Sequence, residues 1–79
     1  MEEKIPVQFK NVSDVNKFVD IMSKFEGDFD LYCGRYCVDA KSILGILTMD
    51  LRNPMFIRGN CNPSEKRTLM RTLQANALA

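Results

Sequence analysis

The 79-residue sequence predicts an α+β fold, an open-faced sandwich in which three helices cover one face of a four-stranded sheet. Two observations support this prediction. The hydrophobic pattern follows the order strand, helix, strand, strand, helix, strand, helix. The strand segments alternate apolar with polar residues, so each strand has one polar face and the helices are confined to the other side of the sheet. The length predicts a single domain over residues 1–79.

The first strand lies near the N-terminus. Ile5, Val7 and Phe9 alternate with more polar residues, which is the period of a strand with one buried face. Pro6 has no N–H to donate to a neighbouring strand, and such residues are confined to sheet edges. We therefore expect this strand at an edge.

The first helix follows directly. Its apolar residues recur at helical spacing opposite a polar face: Val12, Val15, Phe18, Val19, Met22 and Phe25. Either Asn11 or Ser13 has a side chain suited to cap the helix N-terminus, and the sequence does not decide between them. The helix is expected to end near Gly27.

A hairpin is predicted next. Alternation defines its two strands, with Phe29, Leu31 and Cys33 in one and Tyr36 and Val38 in the other. The intervening Gly34-Arg35 places Gly at the first central position of the turn, as a type II′ hairpin requires. This turn would put Cys33 opposite Tyr36.

The second helix opens at Ser42 and carries too much apolar surface for one core. Six apolar residues, Ile43, Leu44, Ile46, Leu47, Met49 and Leu51, spread over roughly 220° of a helix that runs to the Pro54 break. A core-facing helix needs a stripe of only about 100° or somewhat more. We therefore expect Leu44 and Leu47 to be exposed, and Ile46 and Met49 to be buried.

The last two elements are a short strand over Met55–Arg58 and a C-terminal helix. Asn62, Pro63 and Glu65 form a strong helix start, with a capping side chain, Pro in the first turn and Glu placed to answer the cap. The expected buried stripe of this helix is Leu69, Met70, Leu73 and Ala77.

The segment Ala40-Lys41-Ser42-Ile43-Leu44-Gly45-Ile46-Leu47 resembles the regulatory-serine segment of HPr, the histidine-containing phosphocarrier protein of the bacterial sugar phosphotransferase system. The order and spacing of the flanking elements also fit that family, so the resemblance covers essentially the whole chain. It implies an antiparallel sheet with the strand order first, fourth, second, third. That order places the Pro6 strand at an edge, as its own residues predict.

The resemblance also shows what this chain lacks. In the family, a histidine at the start of the first helix carries the phosphoryl group, followed by an arginine two residues later and then a proline. Aligning Phe18-Val19 and Ser23-Lys24-Phe25 with their family counterparts places Asn11 at the histidine, Ser13 at the arginine and Asp14 at the proline. The chain has no histidine, so we expect no catalytic residue, no phosphohistidine transfer and no enzymatic activity.

Ser42 is the remaining candidate site. In the family the matching serine is phosphorylated by a kinase, and the phosphorylated form binds a transcriptional regulator of carbon use. Lys41, Ile43, Leu44 and Leu47 match positions that make those contacts. The alternative interpretation is that Ser42 only caps the second helix. The expected partners are therefore proteins: a serine kinase, phosphotransferase-system enzymes or a transcriptional regulator.

The cysteines suggest a different class of function, a thiol- or metal-dependent small protein that uses Cys33, Cys37 and Cys61. In the predicted hairpin, however, Cys33 and Cys37 lie on opposite faces and cannot bridge without distortion. No histidine is present to complete a zinc site with Cys61. Free thiols and no metal or cofactor are therefore expected.

Charge and hydropathy narrow the remaining classes. The net charge is +1, which provides no overall field toward nucleic acid or an anionic membrane. No signal peptide or long apolar run is visible, which predicts a cytoplasmic protein. Two HPr-like functions stay open: a regulatory adaptor that binds proteins and is switched at Ser42, and a vestigial phosphocarrier that docks without transfer. The sequence leaves the oligomeric state open.

Overall fold

The structure is a computed structural model that describes residues 4–79. The elements are β1 Ile5–Val7, α1 Val12–Met22, β2 Phe29–Cys33, β3 Tyr36–Asp39, α2 Ile43–Leu47, β4 Met55–Gly59 and α3 Pro63–Ala75. Their order along the chain is the predicted one. None of the helices within the described residues combines the length and apolar character needed to cross a membrane.

The four strands form one antiparallel sheet in the order β1-β4-β2-β3, which confirms the expected topology. Ile57 of β4 lies opposite both Ile5 of β1 and Leu31 of β2, and Leu31 lies opposite Val38 of β3. Three of these four side chains are buried and Val38 is half-buried, so this row runs along the covered face of the sheet. The Pro6 strand is at an edge, as predicted.

The helices supply the other half of the core. Their fully buried side chains are Val15, Phe18 and Met22 of α1, Ile46 of α2, and Leu69 and Leu73 of α3. The opposite face of the sheet carries Tyr32 and Phe56, whose rings stack with centroids 5.4 Å apart. This arrangement is the predicted open-faced sandwich.

The apolar stripe of α1 is rotated from the predicted one, and Val12 is exposed. At 100° per residue the buried positions Val15, Phe18 and Ile21 span an arc of roughly 120°, and Val12 lies about 60° beyond it. Ile21, at the other end of the arc, is buried instead. Spacing alone identified an amphipathic helix but not which edge of its stripe meets the sheet.

The expected burial of Ala77 was also wrong, because α3 ends at Ala75. Ala77 adopts a left-handed conformation with φ 57°, and the N–H of Leu78 turns back to donate to the carbonyl of Leu73 at 2.8 Å. This is a Schellman-type helix end. Leu78 is fully buried in the place expected for Ala77, while Ala77 is exposed.

Candidate protein-binding site

The start of α2 is built around Ser42. Its Oγ accepts a hydrogen bond from the backbone N–H of Gly45 at 3.1 Å, and its carbonyl accepts the N–H of Ile46 at 3.0 Å. Its own N–H donates to the carbonyl of Asp39 at 3.0 Å. Ser42 therefore caps the helix, which is one of the two roles that its sequence context allows.

The helix is shorter than the sequence suggested. It spans only Ile43–Leu47, with Thr48 as its C-cap, and the Thr48 hydroxyl donates to the carbonyl of Gly45 at 2.6 Å. Within this single short helix the apolar side chains cover about 160°, not 220°. Met49 lies beyond the helix and is half-buried against the core, so it is less buried than expected.

Three apolar side chains of α2 are nevertheless exposed, and together they form what we term the α2 patch: Ile43, Leu44 and Leu47. Leu44 is 78% exposed, Leu47 40% and Ile43 36%, whereas Ile46 is 0% exposed. The predicted exposure of Leu44 and burial of Ile46 are therefore confirmed, whereas Leu47, predicted to be largely exposed, is exposed over less than half of its surface. Exposed apolar side chains that lie side by side on a small domain are a common mark of an interaction surface.

Gly45 explains which side of the short helix is exposed. A Cβ atom at this position would lie 3.3 Å from the Cβ of Val38 and 3.1 Å from the Oγ of Ser42. The absence of a side chain therefore lets the backbone of α2 approach β3 closely. Gly45 and Ile46 form the side of α2 that faces the protein, and the α2 patch is left on the outside.

Lys41 is held by the fold. Its ammonium group donates to the carbonyls of Phe25 at 2.7 Å and Gly27 at 3.0 Å, just beyond the C-terminus of α1. Its nitrogen also lies 5.9 Å from the ring centroid of Phe29. Two of the three ammonium N–H donors are thereby used. Lys41 fixes the segment that leads into Ser42, and the structure does not group its charge with the α2 patch.

The start of α1 is the second place where the sequence predicted functional residues. Asn11, not Ser13, is the cap, with its Oδ1 accepting from the N–H of Asp14 at 3.0 Å. The carboxylate of Asp14 is buried and accepts the N–H of Lys10 at 2.9 Å, while the ammonium of Lys17 lies 3.6 Å from its other oxygen. A helix N-terminus attracts anions, and here the chain's own carboxylate lies in the first turn of α1.

The cysteines lie apart, as the hairpin argument predicted. Cys33 is opposite Tyr36, and Cys37 is opposite Tyr32, around a turn in which Gly34 has φ 61°. Cys33 is buried and Cys37 is exposed, on opposite faces of the sheet. Within residues 4–79 no group of three potential metal-ligating side chains is found.

Tyr32, which lies opposite Cys37, and the Cys61 thiol both have shifted pKa values. The pKa of Tyr32 is raised, chiefly by its hydrogen bond with Cys37. Burial, followed by the negative charge of Glu65, raises the pKa of the Cys61 thiol. A raised pKa lowers the thiolate fraction at neutral pH and so makes Cys61 a weaker nucleophile. These observations do not combine the three thiols into one reactive site.

No protein-family model matches this chain, and no curated protein matches it. Solved structures do. The phosphocarrier protein HPr from Bacillus anthracis str. Ames matches with a TM-score of 0.69 and 23% sequence identity, over 98% of this chain and 95% of that one. HPr-C-His from Thermoanaerobacter tengcongensis matches with a TM-score of 0.72 and 23% identity, over 92% and 89%. The expected HPr-like fold is confirmed, and the function has to be argued from the residues of this chain.

Proposed function

We propose that this chain is an HPr-like regulatory adaptor that binds other proteins through the α2 patch and transfers no phosphoryl group. The observation that carries the proposal is the exposure of Ile43, Leu44 and Leu47 on a helix whose other side is fixed against the sheet. A small domain gains no folding stability from apolar side chains left in water, and such side chains are commonly found at interfaces. The proposed adaptor is cytoplasmic, with no cofactor and no enzymatic activity of its own.

The start of α1 supports the absence of transfer. The chain has no histidine, and the amide of Asn11 has no basic nitrogen comparable to that of imidazole. The buried carboxylate of Asp14 lies in the first turn of α1. An incoming phosphoryl group would meet this negative charge at the point where a phosphocarrier needs a positive one.

We infer that Ser42 is the switch. Its Oγ already accepts the Gly45 N–H, so a phosphoryl group attached there would remain at the positive end of the helix dipole. The added charge would stand next to Ile43 at the edge of the α2 patch. Partner choice would then depend on phosphorylation, as expected for a regulator of sugar transport or carbon use. The candidate partners are a serine kinase, phosphotransferase-system enzymes and a transcriptional regulator.

Two labelling reactions test the chemical part of the proposal. Incubation with labelled phosphoenolpyruvate and the transfer enzyme of a sugar phosphotransferase system should not label the native chain, because it has no histidine. It should not label Asn11→His either, because Asp14 remains in place. Incubation with labelled ATP and the HPr serine kinase should label the native chain but not Ser42→Ala. Labelling of the native chain by phosphoenolpyruvate would overturn the absence of transfer, and unlabelled Ser42 would remove the switch.

Binding to the same two enzymes, measured by calorimetry, tests the surface. Leu44→Ala and Leu47→Ala should weaken any complex that forms. Val12→Ala is the matched control, because Val12 is also apolar, helical and exposed but lies outside the α2 patch. Equal weakening by the Val12 variant would mean that the surface is not confined to the α2 patch but includes the start of α1. Binding of the transfer enzyme alone would favour the vestigial phosphocarrier, which docks without transfer.

A further inference from the structure

The outer edge of β3 has unused backbone hydrogen-bonding groups. The N–H of Ala40 donates to the carbonyl of Phe29 in β2 at 2.9 Å. Because residues of an antiparallel strand alternate between bonding inward and outward, Tyr36 and Val38 also bond to β2, and Cys37 and Asp39 face away from the sheet. The Asp39 carbonyl already accepts from Ser42. The N–H and C=O of Cys37 and the N–H of Asp39 remain on this edge.

The two edges of the sheet differ in how they are protected against further pairing. β1 has only three residues, and one of them is Pro6, a combination that discourages addition of another strand. β3 has four residues, including Tyr36, Cys37 and Val38. Tyr and Val favour strands, and no proline, lysine or bulge blocks the edge. Within residues 4–79, β3 pairs with no strand other than β2.

A cleft lies beside this same edge. It has a volume of about 470 Å³ and is bordered by β3 on one side and by the segment after α2 on the other. Tyr36 stands at the cleft on the helix-covered side of the sheet and is 69% exposed. Val38 and Met49 also line the cleft, and both are half-buried. The cleft therefore offers apolar surface within reach of a strand that would pair with β3.

We propose that a second copy of this chain pairs antiparallel with β3, about a two-fold axis at Cys37. Cys37 then lies opposite Cys37 of the second copy, and the two residues exchange both backbone hydrogen bonds. Tyr36 lies opposite Val38 of the second copy, where its ring enters the neighbouring cleft. The two sheets become one continuous sheet, with all helices on the same face.

Charge complementarity selects a second copy as the occupant and fixes this register. With Cys37 at the centre, Arg35 lies opposite Asp39 of the second copy, and the symmetry produces this pair of opposite charges twice. Centring on Asp39 or on Arg35 would place like charges opposite each other, which is unfavourable. Centring on Val38 would direct the Cys37 N–H to the Asp39 carbonyl, which Ser42 already occupies.

Sedimentation velocity on the full chain, from micromolar to millimolar concentration at low salt, tests the pairing. A four-residue edge buries less than a standard interface, so we expect a weak, concentration-dependent dimer. Arg35→Asp and Asp39→Arg should each weaken it by about tenfold, because each places like charges opposite each other in both copies of the pair. The double variant should recover most of the native affinity, since it restores opposite charges. Far-ultraviolet circular dichroism checks that each variant is folded.

Cross-linking identifies the surface independently of these substitutions. A short bis-maleimide should join two chains through Cys37, as peptide mass spectrometry would show, and Cys37→Ser should abolish the product. Leu44→Ala, outside this edge, should leave dimerisation unchanged. The proposal is overturned if the chain remains monomeric at millimolar concentration. It is equally overturned if neither Arg35→Asp nor Asp39→Arg changes the dimer affinity, or if the dimer cross-links through Cys61.

Discussion

Leu44 and Ile46 offer a matched test of the α2 patch, because both are aliphatic and both lie in the same five-residue helix. Ile46 is fully buried, and truncating such a residue to Ala costs about 2–5 kcal/mol of unfolding free energy. Leu44 is 78% exposed. With only about a fifth of its surface buried, its truncation should cost at most about a fifth as much, below roughly 1 kcal/mol.

Thermal and urea unfolding, followed by circular dichroism, measure this difference. In a domain of this size 1 kcal/mol shifts Tm by about 4–8 °C, so Ile46→Ala should lower Tm by at least about 8 °C. Leu44→Ala should lower it by only a few degrees. Leu47→Ala and Met49→Ala should fall between them, because Leu47 is 40% exposed and Met49 is half-buried.

The pair of variants can also refute the reasoning. If Leu44→Ala lowered Tm as much as Ile46→Ala, the α2 patch would be part of the core and the adaptor proposal would lose its physical support. If both variants left Tm unchanged, α2 would contribute little to the fold. Its exposed side chains would then lie on an unanchored segment instead of a preformed surface.

Three further predictions concern single contacts. Gly59→Ala should destabilise the fold by about 1–3 kcal/mol in urea titrations, because a Cβ there would lie 2.5 Å from Cδ1 of Phe29. Lys41→Met should cost about 1–2 kcal/mol in the same titrations, since it keeps most of the aliphatic stem but loses two charge-assisted hydrogen bonds. The rate of Cys61 alkylation should reach half of its maximum at a pH above 9.0, the ordinary pKa of a thiol, and Glu65→Gln should lower that midpoint pH. Because the folded state favours the neutral thiol of Cys61, this thiol contributes to the free energy of unfolding. The contribution should be complete below pH 9 and decline at higher pH.

Local patterns predicted the sheet well, for reasons visible in particular residues. Pro6 marked an edge strand because it has no N–H. Gly34 fixed the hairpin register, since a two-residue turn with positive φ at its first central position leaves Cys33 and Tyr36 opposite each other. Strand order came from the family resemblance, because alternation along one strand does not specify which strand lies beside it.

The second helix was harder to predict, because its end and its orientation depend on contacts that the sequence does not display. α2 ends at Leu47, with Thr48 as its C-cap, well before the Pro54 break on which the sequence argument relied. Lys41 reaches carbonyls 14 and 16 residues earlier in the chain. Lys41, which the resemblance matches to a binding position, thus makes long-range contacts that its place in the sequence does not reveal.

The two helix starts differ in what remains available to another molecule, and this difference is why the proposed function rests on α2. At α1, the amide of Asn11 caps the helix, and the buried carboxylate of Asp14 would repel a phosphoryl group. At α2, a neutral hydroxyl caps the helix, and phosphorylation of Ser42 would add negative charge where the helix dipole favours it. The start of α2 adjoins a group of exposed apolar side chains, the α2 patch. Near the start of α1, the one large exposed apolar side chain among the described residues is Val12. In the proposed function, α2 is the place where partners bind and Ser42 is the hydroxyl at which that binding is controlled.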